Sequence, residues 1–231
     1  MTRKAFEHAL ADLQESVVTL GAMAEQALAQ AVKALAERDF ELSRILIQQD
    51  RQIDERRYAI EAEALMLIAT QGPIASDMRV LAASIFIANE LERIADYAKG
   101  IAKINLRIGD EPLMKPLVDI PRMSEIARGM LRRSLDAFVQ RDEKMARAIV
   151  PEDDLVDALY DQVYAELMTL ILQDPQKMRQ ANRLLQAAHH LERAADRATN
   201  ICERVIYCVT GELLDSGWEL EEKSQTADNS S

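Results

Sequence analysis

The chain has 231 residues, of which 48% are apolar, so it can supply a substantial hydrophobic core. Its formal charge of −11 would repel the phosphate backbone of a nucleic acid, which argues against a nucleic-acid partner. No apolar secretory segment follows the basic start, and no apolar run approaches the roughly 20 residues that a membrane helix needs. We therefore expect a globular, cytoplasmic protein without membrane insertion.

The composition and the first half of the chain predict long helices. Aromatic residues make up only 4% of the chain and there are 7 glycines, whereas good helix formers such as Ala, Leu and Glu dominate. Apolar residues recur at helical spacing, and the breaks at Arg38-Asp39, Gly72-Pro73 and Gly109 separate three segments. The predicted helices cover about residues 6–35, 39–70 and 74–108.

The second half repeats the same order of signals. Pro112, Pro116 and Pro121 mark a linker, and helices are predicted at about 123–140, 142–172 and 175–210. Pro151 falls inside the middle helix, so we expect a kink or a new helix start just before Asp153. The predicted organisation is a first unit at 1–110, a linker at 111–120, a second unit at 121–212 and a mobile acidic tail at 213–231.

Individual residues recur between the halves as well. Five residues around the start of the second predicted helix reappear 103 positions later in the chain. Arg38, Asp39, Arg44, Asp50 and Asp54 match Arg141, Asp142, Arg147, Asp153 and Asp157. The segment Leu91-Glu92-Arg93 with Asp96 reappears 100 positions later as Leu191-Glu192-Arg193 with Asp196. We therefore predict an all-α fold of two tandem, pseudo-symmetric three-helix bundles.

Four carboxylate pairs have i,i+4 spacing, which puts both members of each pair on one helix face. In the first half, Asp50 and Asp54 precede the Gly72 turn by about as many residues as Glu92 and Asp96 follow it, so in an antiparallel hairpin all four lie at the same height. The second half repeats this arrangement around Asp174. Two acidic clusters are predicted: Asp50, Asp54, Glu92 and Asp96, and Asp153, Asp157, Glu192 and Asp196.

Clusters of carboxylates without sulfur ligands suit hard or borderline cations such as Mg²⁺, Mn²⁺, Ca²⁺ and iron, and also Zn²⁺. The alternative is that the acids are solvated or paired with nearby cations. His189 and His190 are interpreted as structural or exposed, because Asn89 and Glu90 stand at the equivalent positions of the first half. The candidate cationic partners are Arg57, Arg93, Lys99, Arg193 and Arg197.

The paired segments that contain Glu92 with Asp96 and Glu192 with Asp196 resemble the PhoU family, accessory proteins of high-affinity phosphate transport. The resemblance covers about residues 5–212 and includes Asp77-Met78-Arg79 at the start of the third helix. It implies six helices in two similar bundles, with multinuclear metal clusters at these acidic motifs. It also implies repression of the phosphate-starvation response, through contact with a sensor histidine kinase and with the ATP-binding subunit of the phosphate ABC transporter.

The resemblance extends the second metal motif to Asn200 and Glu203, but Arg197 stands where the family often has His. At the equivalent positions the first half has Tyr97, Gly100 and Lys103, and a lysine brings positive charge to a ligand position. The second cluster is therefore the stronger candidate metal site. The identity of the metal is left open.

We expect this protein to be a regulatory adaptor and not an enzyme. Three other functions are possible alternatives. A ferritin-like di-iron enzyme would need Glu-x-x-His motifs, but Ala95 and Ala195 follow Glu92 and Glu192 at that spacing. A carboxylate-bridged metal-binding protein and a purely structural helical scaffold remain as further alternatives. The long first helix and the acidic exterior favour a homodimer.

Overall fold

Residues 3–212 are the part of the chain that the computed structural model describes, and they form seven α-helices with two short 3₁₀ turns. The prediction of an all-α fold is confirmed. The helices are α1 (Arg3–Glu37), α2 (Phe40–Gln71), α3 (Ala75–Ile108), α4 (Asp119–Gln140), α5 (Glu143–Ile149), α6 (Asp153–Gln173) and α7 (Met178–Thr210). The predicted tail at 213–231 lies outside the described residues.

The turns that follow α1 and α4 have the same construction. Arg38 and Arg141 take the left-handed backbone conformation, with φ of 61° and 53°. The next residue caps the following helix in both places: Asp39 accepts from the Leu42 amide at 2.8 Å, and Asp142 accepts from the Met145 amide at 3.0 Å. The duplication read from the sequence therefore extends to backbone geometry.

Pro151 divides the fifth predicted helix, as expected. Helix α5 ends at Ile149, a 3₁₀ turn covers Val150–Glu152, and α6 begins at Asp153. Proline cannot donate the hydrogen bond that a helix interior requires, so the helix restarts at this point. This restart puts Asp153 in the first turn of α6.

Helix α4 begins at Asp119, earlier than the start predicted near Met123. The sequence interpretation placed Pro121 in the linker, whereas the structure has it in the first turn of α4. The amides of a first turn lack helical partners in any case, so proline is accepted there.

The helices pack as two three-helix bundles. One contains α1, α2 and α3, and the other contains α4, α7 and the α5–α6 pair. Helix α3 packs along α7 and α1 packs on α4, so α2 and α6 are the outer helices. Buried apolar side chains from both bundles form one continuous core. No helix within residues 3–212 has an apolar stretch long enough to cross a membrane.

Candidate functional site

The first acidic cluster consists of Asp50 and Asp54 on α2 with Glu92 and Asp96 on α3. Burial and then the charges of Asp50 and Asp96 raise the pKa of Asp54. Burial, followed by the charges of Asp96 and Asp54, raises the pKa of Glu92. The charges of α2 and α3 therefore act on one another across this helix pair.

A lysine neutralises much of this cluster. Lys99 Nζ lies 2.5 Å from Asp50 Oδ2 and 3.0 Å from Asp96 Oδ1, and Asp50 is only 8% exposed. Hydrogen bonding to Asp50 is the main cause of a raised pKa of Lys99. Lys103, in contrast, is exposed. The alternative that the acids pair with a nearby cation therefore describes the first cluster, and the cation is Lys99.

The second acidic cluster consists of Asp153 and Asp157 on α6 with Glu192 and Asp196 on α7. Burial and then the charges of Asp196 and Asp157 raise the pKa of Asp153 to about 7. Burial and the Asp196 charge also raise the pKa values of Asp157 and Glu192. The four carboxylates of the second cluster are therefore close enough for their negative charges to act on one another.

Two oxygen atoms in this cluster are buried without a partner. Asp153 Oδ1 and Glu192 Oε2 have no hydrogen bond within residues 3–212. His189 Nδ1 approaches Glu192 Oε2 to 2.9 Å, although without hydrogen-bond geometry, and His189 is about half exposed. Thr199 stands at the position equivalent to Lys99, and its hydroxyl is also buried without a partner. Within residues 3–212, the second cluster has the donor atoms of a cation site and no lysine or arginine ion pair, and His189 is its one basic neighbour in an ion-pair contact.

Asn200 and Glu203 do not join the second cluster. The Asn200 amide donates to Glu90 Oε2 on α3 at 3.0 Å, and Arg197 Nη1 lies 3.3 Å from the same oxygen. Glu203 is half-buried, which raises its pKa, and Arg204 is the neighbouring charge. Their role as metal ligands stays a prediction based on the family resemblance.

These contacts reveal a pseudo-symmetric polar seam between α3 and α7 that the sequence interpretation missed. Glu90 faces Asn200, and at the equivalent positions of the other repeat His190 faces Gly100. A Cβ atom at Gly100 would lie 2.6 Å from His190 Nε2, and the His190 ring stacks on Tyr97 with centroids 5.7 Å apart. A glycine within an otherwise regular helix was the available signal of this close approach.

The two clusters differ in how well they suit a metal ion. In the first, Lys99 already supplies the positive charge, and a metal would have to displace it. In the second, two carboxylate oxygens are buried without a hydrogen bond within residues 3–212 and the negative charges repel one another, which fits a hard cation in donor chemistry. No three His, Cys, Asp or Glu side chains within residues 3–212 are already arranged around a metal position. Binding at the second cluster would therefore require its side chains to reorient.

Comparisons with known proteins cover nearly the whole chain. The PhoU domain family model matches residues 17–104 and 120–205, one match in each bundle. The chain is 36% identical to the phosphate-specific transport system accessory protein PhoU homolog of Clostridium acetobutylicum over 93% of this chain and 99% of that protein. The homologue of Aquifex aeolicus is also 36% identical, over 89% of this chain and 93% of that protein.

Solved structures agree with the sequence comparisons. The crystal structure of the phosphate transport system regulatory protein PhoU from Streptococcus pneumoniae superposes with a TM-score of 0.85 at 31% identity, covering 91% of this chain and 99% of that one. PhoU from Pseudomonas aeruginosa gives the same TM-score at 29% identity, covering 90% and 100%. Two family matches, one in each bundle, and relatives aligned over almost their full length show that this chain belongs to the PhoU family.

Proposed function

We propose that this chain is a regulatory accessory protein of phosphate transport that represses the phosphate-starvation response when phosphate is plentiful. The observation that carries the proposal is the similarity over 93% of the chain to a relative named as a phosphate-specific transport accessory protein. The same two-bundle architecture in the phosphate transport system regulatory protein PhoU of Streptococcus pneumoniae supports it. The proposed role is that of an adaptor and not of an enzyme.

The proposed partners are a phosphate-sensing histidine kinase and the ATP-binding subunit of the phosphate ABC transporter, reached from the cytoplasm. Support comes from the outer helices, which expose large apolar side chains that a protein partner could cover. Helix α2 exposes Tyr58, Leu65 and Met66, and α6 exposes Leu155, Tyr164 and Leu172. These two faces are the first surfaces to test.

The test is genetic complementation followed by direct binding. Deletion of the gene should switch on a phosphate-starvation reporter in phosphate-rich medium, and the wild-type chain should restore repression. Purified wild-type chain should bind the kinase and the transporter subunit, and Leu65→Glu with Met66→Glu should weaken one of these complexes. The matched control is Arg56→Glu, an exposed change on α2 that shifts the net charge equally and leaves the apolar side chains intact.

Each outcome has a clear meaning. A reporter that stays silent in the deletion strain would contradict the repressor role. Normal repression together with no binding to either protein would keep the role but contradict the proposed partners. Chromatography with light scattering on the same preparation would test the proposed homodimer, whose absence would leave the adaptor role intact.

We further propose that the second cluster, and not the first, binds a divalent or ferric ion through Asp153, Asp157, Glu192 and Asp196. Support comes from the two buried oxygens without partners and from the absence of any ion pair to Asp153 within residues 3–212. A bound ion would supply the positive charge that Lys99 supplies in the first cluster. Its identity among Fe, Zn, Mn, Mg and Ca is to be measured.

Metal analysis by inductively coupled plasma mass spectrometry tests this proposal on protein purified without a chelator or affinity-tag metal. We expect near-stoichiometric metal in wild type and its loss in Glu192→Ala with Asp196→Ala. The matched control is the equivalent pair in the other repeat, Glu92→Ala with Asp96→Ala, which should keep the metal. Loss from both variants, or metal absent from wild type, would contradict the assignment.

The ferritin-like enzyme alternative loses support at two positions. Ala95 and Ala195, where Glu-x-x-His motifs would need their histidines, are buried in the core with 2% and 0% exposure. A carboxylate-histidine di-iron site of that type therefore lacks its nitrogen ligands on α3 and α7 at those positions. This observation favours the regulatory adaptor over the ferritin-like di-iron enzyme as the proposed function.

A further inference from the structure

Helices α1, α2 and α3 of the first bundle surround an open cavity of about 370 Å³. Its walls are mainly apolar, and three alanines, Ala27, Ala95 and Ala98, leave the space between the helices. Binding sites for small molecules commonly have volumes from about 300 Å³ upward, with apolar walls and a few polar groups. The cavity therefore has the size and the lining of a ligand site.

The second bundle has larger or charged side chains at three equivalent positions. The repeat of Arg38-Asp39 as Arg141-Asp142 sets α1 and α4 in register 103 residues apart, so Ala27 corresponds to Met130, whose side chain is fully buried. In the same register Gln30 corresponds to Arg133, and Gln49 corresponds to Glu152. Arg133 and Glu152 form an ion pair with Nη1 2.6 Å from Oε1. The positions that line the cavity in the first bundle therefore carry a larger apolar side chain and an ion pair in the second bundle.

The polar groups of the cavity come from α1, α2 and α3. Four glutamine side chains line it, and amides offer both donors and acceptors. Asp50, 8% exposed, lies at one end, where Lys99 contacts its Oδ2 atom and so leaves Oδ1 for another donor. The glutamines are Gln26, Gln30, Gln49 and Gln52.

The charge around this end of the cavity is negative. Lys99 is shared between Asp50 and Asp96, while Asp54 and Glu92 add two further carboxylates. Arg57, whose charge also acts on Asp54 and Glu92, forms an ion pair with Glu61 at 2.7 Å. Asp50 and Lys99 line the cavity itself, and the three neighbouring carboxylates leave this region with a net negative charge, which attracts a cationic group and repels an anion such as phosphate.

We propose that this cavity binds a small amphipathic cation, a molecule with an apolar body and one ammonium group. The apolar body would lie on Ala27, Ala95 and Ala98, and the ammonium group would donate to Asp50 and the glutamine amides. This site is separate from the proposed metal site, which lies in the second bundle. It also does not depend on the proposed role in phosphate regulation.

The first experiment compares three probes that share an aliphatic chain, namely octylamine, octanol and octanoate. The full chain, labelled with ¹³C at the methionine methyl groups, is titrated and the signal of Met23, which lines the cavity, is followed by NMR. We expect octylamine to bind at least tenfold more tightly than octanol, and octanoate not to shift the Met23 signal. Equal affinity for all three, a preference for octanoate, or no shift with octylamine would overturn the proposal.

Cavity-filling variants then test the location. Ala27→Met introduces the residue found at the equivalent position of the second bundle, and it should lower octylamine affinity at least tenfold. Ala11→Met, on the exposed face of the same helix, should leave the affinity unchanged. If Ala27→Met does not fold, Gln30→Arg with Gln49→Glu reproduces the ion pair of the second bundle and should have the same effect. Unchanged affinity in the folded cavity variant would overturn the proposal.

Discussion

Lys99 in the first repeat and Thr199 in the second stand at equivalent positions, 100 residues apart, beside the two acidic clusters. In the first cluster Lys99 contacts Asp50 and Asp96, so the charge is balanced within the chain. In the second, the buried Thr199 hydroxyl has no hydrogen-bond partner in the part of the chain that the structure describes, and the pKa of Asp153 rises to about 7. The two repeats therefore share one backbone arrangement but differ in the charge balance of their acidic clusters, and the residue at position 99 or 199 accounts for this difference.

The difference teaches that a duplicated motif need not have a duplicated function. Asp50 and Asp153 occupy matching places on the helix that faces α3 or α7, but Asp50 is paired with the Lys99 ammonium group, whereas burial and neighbouring carboxylates raise the pKa of Asp153 to about 7. A cluster with a tethered ammonium group gains little from an added cation, whereas a repulsive cluster gains much. The predictions below change the two clusters in order of expected effect.

Lys99→Met removes the positive charge that balances the first acidic cluster, and it has the largest expected effect on the free energy of unfolding. Asp50 would keep its buried position but lose its cation, which should lower the free energy of unfolding by about 2–3 kcal/mol. Urea denaturation at pH 7 measures this loss. Lys103→Met, at an exposed lysine one helical turn further on, should change stability by less than about 0.5 kcal/mol. Equal effects of the two variants would show that Lys99 does not support the cluster.

Thr199→Lys should give the second acidic cluster the internal charge balance that Lys99 gives the first. An ammonium group at this position would neutralise Asp196 and Asp153, raise the free energy of unfolding at pH 8 by about 1 kcal/mol, and abolish the proposed metal binding. Thr199→Met, which has a long side chain without charge, is the matched control. Identical stability of the lysine and methionine variants at pH 8 would contradict the electrostatic comparison.

Asp153→Asn should flatten the dependence of stability on pH. The unfolded chain releases an aspartic proton at about pH 4, whereas folded Asp153 keeps its proton up to about pH 7. Between these values the folded state binds more protons, so wild-type stability should fall as the pH rises, by about 1 kcal/mol because the group is partly solvated. Urea denaturation from pH 4.5 to 8 measures this slope. Asp154→Asn, at an exposed neighbour, should keep it, and a wild-type curve that rises over this range would reverse the assignment.

The sequence was sufficient to predict the bundles and the convergence of the acids. Helical rise per residue is fixed, so Asp50 and Asp96, at comparable distances from Gly72, had to lie at similar heights once α2 and α3 were antiparallel. Pro151 also predicted that a new helix starts at Asp153, because the effect of proline on a helix is local. These predictions depended only on backbone geometry, which repeats from one helix to another.

The sequence alone did not predict which cations pair with the carboxylates of each acidic cluster. Lys99 and Lys103 both follow Asp96 on one face of α3, and the spacing did not decide which lysine meets Asp50. Helical side chains lean toward the N terminus, so Lys99 reaches back to the height of the acids while Lys103 starts one turn too far away. The contacts of Glu90 with Asn200 depend on how α3 packs along α7, and helical periodicity within one segment carries no information on that packing.

The smallest expected effect on stability concerns the seam between α3 and α7, and it is measured by replacing Gly100 of the seam and Gly129 of α4 with alanine. Gly129→Ala meets no atom within 4 Å, so the higher helix propensity of alanine should raise the free energy of unfolding by about 0.5–1 kcal/mol. Gly100→Ala would meet His190, and this overlap should cancel the gain or lower stability by up to about 1 kcal/mol. Adding His190→Ala to Gly100→Ala removes the overlap, and thermal and urea unfolding of the three variants measures the difference. If Gly100→Ala alone stabilised the protein as much as Gly129→Ala does, the close approach of α3 and α7 at His190 would be disproved.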